Sequence, residues 1–214
     1  MDEETERPVA DGARALAAAL RAGDAAAIEA LCLEEMWERA GREEFGPLLD
    51  ADEVEILGVL GRRSLLWLSF SARDEAACTE QLWHSGDPAR IEDQRIFSLA
   101  DRAAVEASGD ADRLARMSTK LDSQDAAQRF VDALGRRDLV ASGAFFEPAY
   151  AAQADLDLRE RLPKVRDVEL LAGVGPRTLV RFHFADGDLT VEYLWRKHED
   201  VLLVAGARAF RPVK

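Results

Sequence analysis

Two tyrosines, Tyr150 and Tyr193, are the residues whose positions in the sequence best suit contact with a ligand. Tyr150 lies in a segment of helical character and Tyr193 in a later segment of strand character, so folding could bring them together. A buried tyrosine hydroxyl requires a hydrogen-bonding partner, and two of them could orient a polar group of a ligand. The structural alternative is an aromatic core with one hydroxyl at its rim. We predict a ligand-binding pair and name no catalytic residue.

Histidines and cysteines are too few and too scattered to predict metal or nucleophilic chemistry. His84, His183 and His198 lack the close spacing of metal-binding motifs, and Cys32 and Cys78 cannot build a zinc site without other ligands. We interpret the cysteines as buried free thiols and His183 as a structural residue. The chain also lacks glycine-rich phosphate-binding motifs and the G-x-S-x-G motif. We therefore predict no metal and no cofactor.

The two halves of the chain repeat each other. At a shift of 114 residues, residues 54–57 (VEIL) align with 168–171 (VELL), and at a shift of 112, residues 80–83 (EQLW) align with 192–195 (EYLW). One register that persists through helix, turn and strand patterns indicates an internal repeat. The first copy has Met36 and Gln81 at the positions of the two tyrosines, so a tyrosine pocket is not duplicated.

A glutamate and an arginine recur at matching strand positions. Glu80 and Arg95 in the first copy correspond to Glu192 and Arg208 in the second. Opposite charges on neighbouring strands most simply form cross-strand ion pairs. We therefore predict a structural pair in each copy, not a repeated binding site.

Each copy is predicted to begin with two helices and to end with four antiparallel strands. Asp24 and Asp138 follow the first helices and suit the N-caps of the second ones. Short turns between the strands are typical of hairpins. In the second copy, the strands are predicted at residues 168–174, 178–185, 189–196 and 201–210.

The repeat predicts the division of the chain into domains. The first α+β unit covers residues 1–99 and the second covers 124–214, while residues 100–123 match neither copy and form a partly helical connector. In the first copy, residues 65–68 (LLWL) are apolar at every position, which predicts a strand that is covered on both faces.

Three segments of the second copy resemble a known superfamily: residues 130–134 (FVDAL), the hairpin at 186–188 (DGD) and residues 192–195 (EYLW). Each copy resembles the nuclear transport factor 2-like superfamily, the cystatin-like α+β cones that include ketosteroid isomerase and SnoaL-like polyketide cyclases. The resemblance covers most of both copies and rests on element order and apolar pattern. It implies an α+β fold, a tandem duplication of a unit with two helices and a four-stranded curved antiparallel sheet.

The resemblance also implies an assembly and a site. Members of the superfamily often dimerise through their sheets, which implies that the two copies pack as an intramolecular pseudo-dimer, with Trp67 at the junction. Enzymes of the superfamily place a carboxylate base, or a His/Asp pair, in the cone between helices and sheet. The expected inward positions of the second cone are instead apolar: Val180, Phe182, Phe184, Val191 and Trp195.

Charge is distributed unevenly along the chain, whose formal net charge is −13. Residues 1–100 carry 22 acidic and 10 basic side chains, whereas residues 124–214 carry 14 of each. The acidic first half makes nucleic acid an unsuitable partner, because phosphate binding requires Lys and Arg. No apolar run approaches 18 residues, and four of the first six residues are acidic where a secretory signal is basic. We expect a cytoplasmic protein that does not interact with membranes.

Together these features predict a non-catalytic module that binds a protein or a small apolar ligand. One alternative is a small enzyme of the isomerase, cyclase or hydratase type that works in the second cone, with Tyr150 and Tyr193 orienting the substrate. Another is an acidic adaptor or inhibitor-like protein that docks on a basic partner.

Overall fold

The computed structural model describes the backbone of residues 3–84, 86 and 88–213, and the side chains of these residues except 3–5 and 155–158. The chain divides into two compact units, one formed by residues 1–97 with 210–214 and the other by residues 98–209. Each unit combines helices with antiparallel strands. The protein is therefore α+β, as predicted.

The first unit places its helices before its strands. Its elements are α1 (Glu3–Arg21), α2 (Ala25–Leu31), α3 (Glu34–Met36), α4 (Arg42–Phe45), β1 (Glu53–Leu60), β2 (Arg63–Phe70), β3 (Glu75–His84) and β4 (Arg90–Ser98). A π-helical turn at Trp37–Gly41 precedes α4, and a 3-10 turn at Gly46–Leu48 follows it. Strands β1 to β4 are hydrogen-bonded neighbours in chain order, and the β1–β2 and β2–β3 pairs are antiparallel.

Helix α1 covers one face of this sheet because its apolar residues recur on one side. Ala13, Leu16 and Leu20 are separated by three and four residues and are almost fully buried. They share a hydrophobic cluster with Leu66 and Leu68 of β2. Residues two apart in a strand point to the same face, so these two leucines form the surface on which the helix packs.

Strand β2 also buries a side chain on its other face. Leu65, which points away from Leu66, is fully buried, and Trp67 on the same face is half-buried. The prediction of a strand that is covered on both faces is confirmed at Leu65.

The second unit repeats the order of helices and strands. Its elements are α5 (Arg102–Ala107), α6 (Ala111–Gly135), α7 (Leu139–Gly143), α8 (Pro148–Arg161), β5 (Asp167–Val174), β6 (Arg177–Phe184), β7 (Gly187–His198) and β8 (Val201–Phe210). A 3-10 turn at Leu162–Lys164 follows α8. Strands β5 to β8 are neighbours in chain order, and the β5–β6 and β6–β7 pairs are antiparallel.

Helix α6 runs through the end of the predicted connector. The second half of the partly helical connector and the first helix of the second copy are one helix of 25 residues. The sequence explains this continuity, because neither glycine nor proline interrupts residues 111–134. Arg102 of α5 binds Asp122 of α6 at 2.8 Å, which fixes the short helix against the long one.

The second helix of each unit begins with the predicted aspartate cap. The Asp24 carboxylate accepts a hydrogen bond from the backbone N–H of Ala27 at 3.0 Å, and Asp138 accepts one from Ala141 at 2.9 Å. Each carboxylate satisfies an amide that has no partner within its helix. Both predicted caps are confirmed.

A tryptophan is held in the same way in both units. The indole Nε1–H of Trp83 donates to the hydroxyl of Ser64 at 2.9 Å, and that of Trp195 donates to Thr178 at 2.8 Å. Both indoles are almost fully buried. The hydroxyls come from the second strand and the indoles from the third strand of each unit.

The end of the described chain, residues 210–213, belongs to the first unit, where Arg211 pairs with β1. Val59 and Arg211 exchange two backbone hydrogen bonds of 2.8 Å. Glu6 of α1 accepts from the backbone of Gly61 at 2.9 Å and from the Arg211 guanidinium at 3.3 Å. Gly58, with φ +155°, allows the close approach, because a Cβ there would lie 2.6 Å from the Arg211 carbonyl oxygen.

The longest helices, α1 and α6, contain 19 and 25 residues. Charged side chains occur along both of them. Within the described part of the chain, no helix is both long and apolar enough to cross a membrane.

Candidate ligand-binding cavity

The second unit contains a cavity of ≈ 160 Å³. Its walls come from α8, the 3-10 turn that follows it, and strands β6, β7 and β8. Most of the lining is apolar, and Phe146, Leu162, Phe182 and Val191 each expose 8% or less of their surface. The cavity therefore offers a largely apolar, aromatic-rich wall to an occupant.

Tyr150 of α8 and Tyr193 of β7 both line this cavity. The Tyr193 ring is buried and meets the edge of Phe130, with ring centroids 5.1 Å apart. The Tyr150 ring is half-buried and lies 5.8 Å from the Phe146 ring. These contacts fix the rings, because edge-to-face and tilted aromatic pairs are favourable geometries. The structure thus brings the two tyrosines together, and their role as ligand contacts stays a prediction.

Three of the five expected inward residues form the cavity wall. Phe182 and Phe184 of β6 share one face of that strand, and Val191 of β7 faces the same space. The other two, Val180 and Trp195, are buried in the hydrophobic cluster of the second unit and not in the cavity lining.

The corresponding positions of the first unit are filled differently. Met36 is 2% exposed and packs in the core, and Gln81 is fully buried. The Gln81 amide accepts a hydrogen bond from Ser64 at 2.9 Å and donates one to Thr79 at 2.8 Å. The first unit therefore has a packed thioether and a closed hydrogen-bond network where the second unit has its two tyrosines.

Two arginines, which sequence reasoning did not assign to a site, also line the cavity. Arg161 ends α8 and Arg208 lies on β8, and both are exposed. Their exposure marks the side on which the cavity reaches the surface. Arg161 also lines a shallower groove beside the cavity, together with Lys164 and Asp186. The signal in the sequence was weak, because arginines on a strand and at a helix end usually form surface ion pairs.

Two cross-strand ion pairs were predicted, Glu80 with Arg95 and Glu192 with Arg208, and in the described part of the chain only the first of them forms. Arg95 lies 3.9 Å from Glu80, so the pair in the first copy is confirmed. In the second copy the prediction is wrong: among the described residues no ion pair joins Glu192 to Arg208, and Glu192 pairs with Arg177 of β6, as Glu80 also pairs with Arg63 of β2 at 2.8 Å. The register accounts for the second-strand pair in both units, since it places Arg177 diagonally across from Glu192 and Arg63 diagonally across from Glu80. Arg208 lines the cavity instead.

Neither His183 nor the two cysteines, Cys32 and Cys78, line the cavity. His183 is 3.0 Å from Asp188 through Nδ1 and 3.4 Å from Glu169 through Nε2. Cys32 and Cys78 are buried and form no disulfide, as predicted, and burial raises the pKa of the Cys32 thiol to about 12. Among the described residues, no three His, Cys, Asp or Glu side chains are grouped to hold a metal ion.

Comparison of the chain with protein-family models gives no match, and comparison with curated proteins gives none either. The cavity is therefore interpreted from its own residues and their contacts. They offer apolar walls, two phenolic hydroxyls, and guanidinium groups at the surface.

Proposed function

We propose that the second unit is a binding module that holds a small, compact apolar molecule in its cavity without converting it. The observation that supports this proposal is the ≈ 160 Å³ space walled by buried phenylalanine, leucine and valine side chains. An engineered apolar cavity of roughly 150 Å³ stays dry and binds benzene. The expected occupant is therefore about the size of a single ring with a short substituent.

The expected affinity follows from the apolar surface that such an occupant buries. Transfer from water contributes ~0.8 kcal/mol per carbon atom, so the seven carbons of toluene contribute about 5–6 kcal/mol. Immobilising the ligand offsets part of this free energy. A Kd on the order of 0.1–1 mM for toluene is the expected result.

Titration of the full chain with toluene, followed by ligand-observed NMR, tests the proposal. Ala154 lines the cavity from α8 and is 3% exposed, so Ala154→Leu fills the space and is expected to abolish toluene binding. Ala152→Leu, an exposed position on the same helix, is the matched control and is expected to bind as the wild type does. Binding that persists in Ala154→Leu, or no binding to the wild type, contradicts the proposal.

The enzyme alternative is supported by the two tyrosines that line one cavity. A hydroxyl pair can polarise a bound carbonyl group, as the isomerase and cyclase hypothesis requires. Mass spectrometry of small cyclic ketones after incubation with the protein separates the two functions, since a binding module returns them unchanged. Conversion by the wild type that is lost in the Tyr150→Phe, Tyr193→Phe double variant supports the enzyme instead.

The acidic adaptor hypothesis rests on the charge of the first half, since residues 1–100 contain 22 acidic and 10 basic side chains. A basic partner held by this charge is expected to dissociate as the salt concentration rises. The distance over which exposed charges interact is about 8 Å at physiological ionic strength and becomes shorter at higher salt. A partner whose retention is independent of salt between 0.05 and roughly 0.5 M contradicts this hypothesis.

We further propose that the two units arose by duplication of one nuclear transport factor 2-like unit. Equivalent irregularities support the proposal, because β1 shifts register between Ile56 and Gly58 and β5 shifts between Leu170 and Ala172, 114 residues later. The aspartate caps and the tryptophan–hydroxyl bonds also recur in the same places. Irregular features at matched positions are stronger support than a shared apolar pattern, because bulges are specific local features of a sheet.

A pair of substitutions tests whether the matched features have matched functions. Ser64→Ala and Thr178→Val each leave a buried indole N–H without its hydroxyl, which costs about 1–3 kcal/mol of stability. Ser64→Ala is expected to cost more, since Ser64 also donates to Gln81. Urea unfolding measures both values, and a neutral effect at either position contradicts equivalent roles.

Packing of the two copies as a pseudo-dimer through Trp67 remains a prediction. Trp67 is half-buried, and Trp67→Asp is expected to unfold the protein or to increase its hydrodynamic radius. Unchanged melting and an unchanged radius contradict it.

A further inference from the structure

We propose that the natural occupant of the cavity is a small ring-bearing carboxylate, whose anionic group is bound by Arg208 where the cavity reaches the surface. This inference rests on the proposed binding function and specifies the chemical class of the ligand. Arg208 and the apolar residues Phe182 and Val191 line one cavity, so a guanidinium and a hydrophobic wall are available to one molecule.

Arg208 differs from its counterpart in the first unit in having no ion pair among the described residues, although the glutamate and the second-strand arginine are paired in both units, Glu80 with Arg63 and Glu192 with Arg177. In the first unit, Arg95 at the matching position lies 3.9 Å from Glu80. In the second unit, Glu192 is paired with Arg177, and among the described residues no carboxylate lies within ion-pair distance of Arg208. The cation at this position is therefore available to a ligand.

The surroundings of Arg208 add positive charge on the same side of the cavity. Arg161 lines the cavity too. Lys164 lies in the adjoining groove that Arg161 shares, and the groove lining also contains one carboxylate, Asp186. Basic residues at the end of a helix also complement its C-terminal carbonyl groups, which is sufficient reason for Arg161. Arg208 lies on a strand, where that explanation does not apply.

Geometry and size select a carboxylate on a single ring. A guanidinium presents parallel N–H donors that match the two oxygens of a carboxylate. An apolar wall beside the pair weakens the competition from water and strengthens the interaction. The ≈ 160 Å³ of the cavity accommodates a substituted ring and excludes a long acyl chain.

Two isosteric probes test the charge of the ligand. 4-Ethylbenzoate and 4-ethylbenzamide have nearly the same shape, but only the first is an anion at pH 7. Isothermal titration of the full chain is expected to show about tenfold tighter binding of the benzoate, as a charged hydrogen bond at a partly solvated site provides. Arg208→Gln is expected to remove this preference by weakening the benzoate alone, and Arg208→Lys to restore part of it.

Arg129→Gln is the matched control, because Arg129 is exposed on α6 and does not line the cavity. It is expected to keep the tenfold preference. Equal binding of both probes by the wild type, or a preference that survives Arg208→Gln, overturns the inference while the apolar binding function stands. Failure of both probes and of toluene removes the proposed function together with the inference.

Discussion

Filling the cavity is expected to stabilise the second unit, which is unusual for a small-to-large substitution of a buried residue. Ala154 is 3% exposed, yet its side chain borders the ≈ 160 Å³ cavity. Ala154→Leu places three additional carbon atoms in that space. The same change at Ala126 of α6, which is 1% exposed in the packed cluster of the unit, has no such space to enter.

The two substitutions are expected to change the free energy of unfolding in opposite directions. Three buried carbons contribute ~2.4 kcal/mol of transfer free energy, and the leucine side chain loses about 0.5–1 kcal/mol of rotamer entropy. A net stabilisation of roughly 1.5 kcal/mol is expected for Ala154→Leu. Ala126→Leu overpacks the core and is expected to destabilise by about 1–3 kcal/mol.

Urea unfolding monitored by fluorine NMR of 5-fluorotryptophan-labelled protein measures these values. Residues 98–209 contain one tryptophan, Trp195, so its resonance reports on the second unit. Ala152→Leu, on the exposed face of α8, is expected to lie within about 0.5 kcal/mol of the wild type. If Ala154→Leu destabilises as much as Ala126→Leu does, the cavity is not an open space in solution and the binding proposal loses its basis.

Three further outcomes follow from the contacts of the first unit. Gly58→Ala is expected to lower stability by about 2 kcal/mol or more in urea unfolding, because its Cβ would clash with the Arg211 carbonyl oxygen. Gly46→Ala, whose Cβ meets open space, is expected to change it by less than about 1 kcal/mol, and equal effects contradict the assignment. Cys32, with a pKa of about 12, is expected to resist iodoacetamide at pH 8 until the protein is unfolded, and rapid labelling of the native protein contradicts its burial. Burial raises the pKa of the Glu44 carboxyl, so Glu44→Gln is expected to stabilise the protein at pH 7. This gain in stability should vanish below about pH 4, where the carboxyl is neutral in both the folded and the unfolded state. A gain that does not depend on pH contradicts the mechanism.

Local features of the fold were predictable because their causes are local. Asp24 and Asp138 were identifiable as caps, since a short carboxylate before a helix has few other uses. The strands of the second copy agree with prediction to within two residues at each end, because hairpin turns separate clear apolar alternation. The predicted boundary between the connector and the second copy, at residue 123, does not interrupt the helix, since both segments belong to α6.

The cavity was predictable only in part. Tyr150 and Tyr193 were expected to converge from their elements, and they do line one space. The presence of Arg208 there was not predicted, because the repeat indicated an ion pair with Glu192 like the one that Arg95 forms with Glu80. The registers of the second and third strands are equivalent in the two units, so the difference lies in the fourth strand, whose side-chain partners sequence spacing alone could not decide.

The pairing of Val59 with Arg211 has a consequence for biosynthesis. Residues 210–214 complete the first unit but emerge from the ribosome only after residues 98–209 have been made. Until then β1 lacks this partner on one edge, and an open strand edge invites pairing with other chains. Stalled translation or cleavage between the two units should therefore leave a first unit that aggregates, even though nearly all of its own sequence is present.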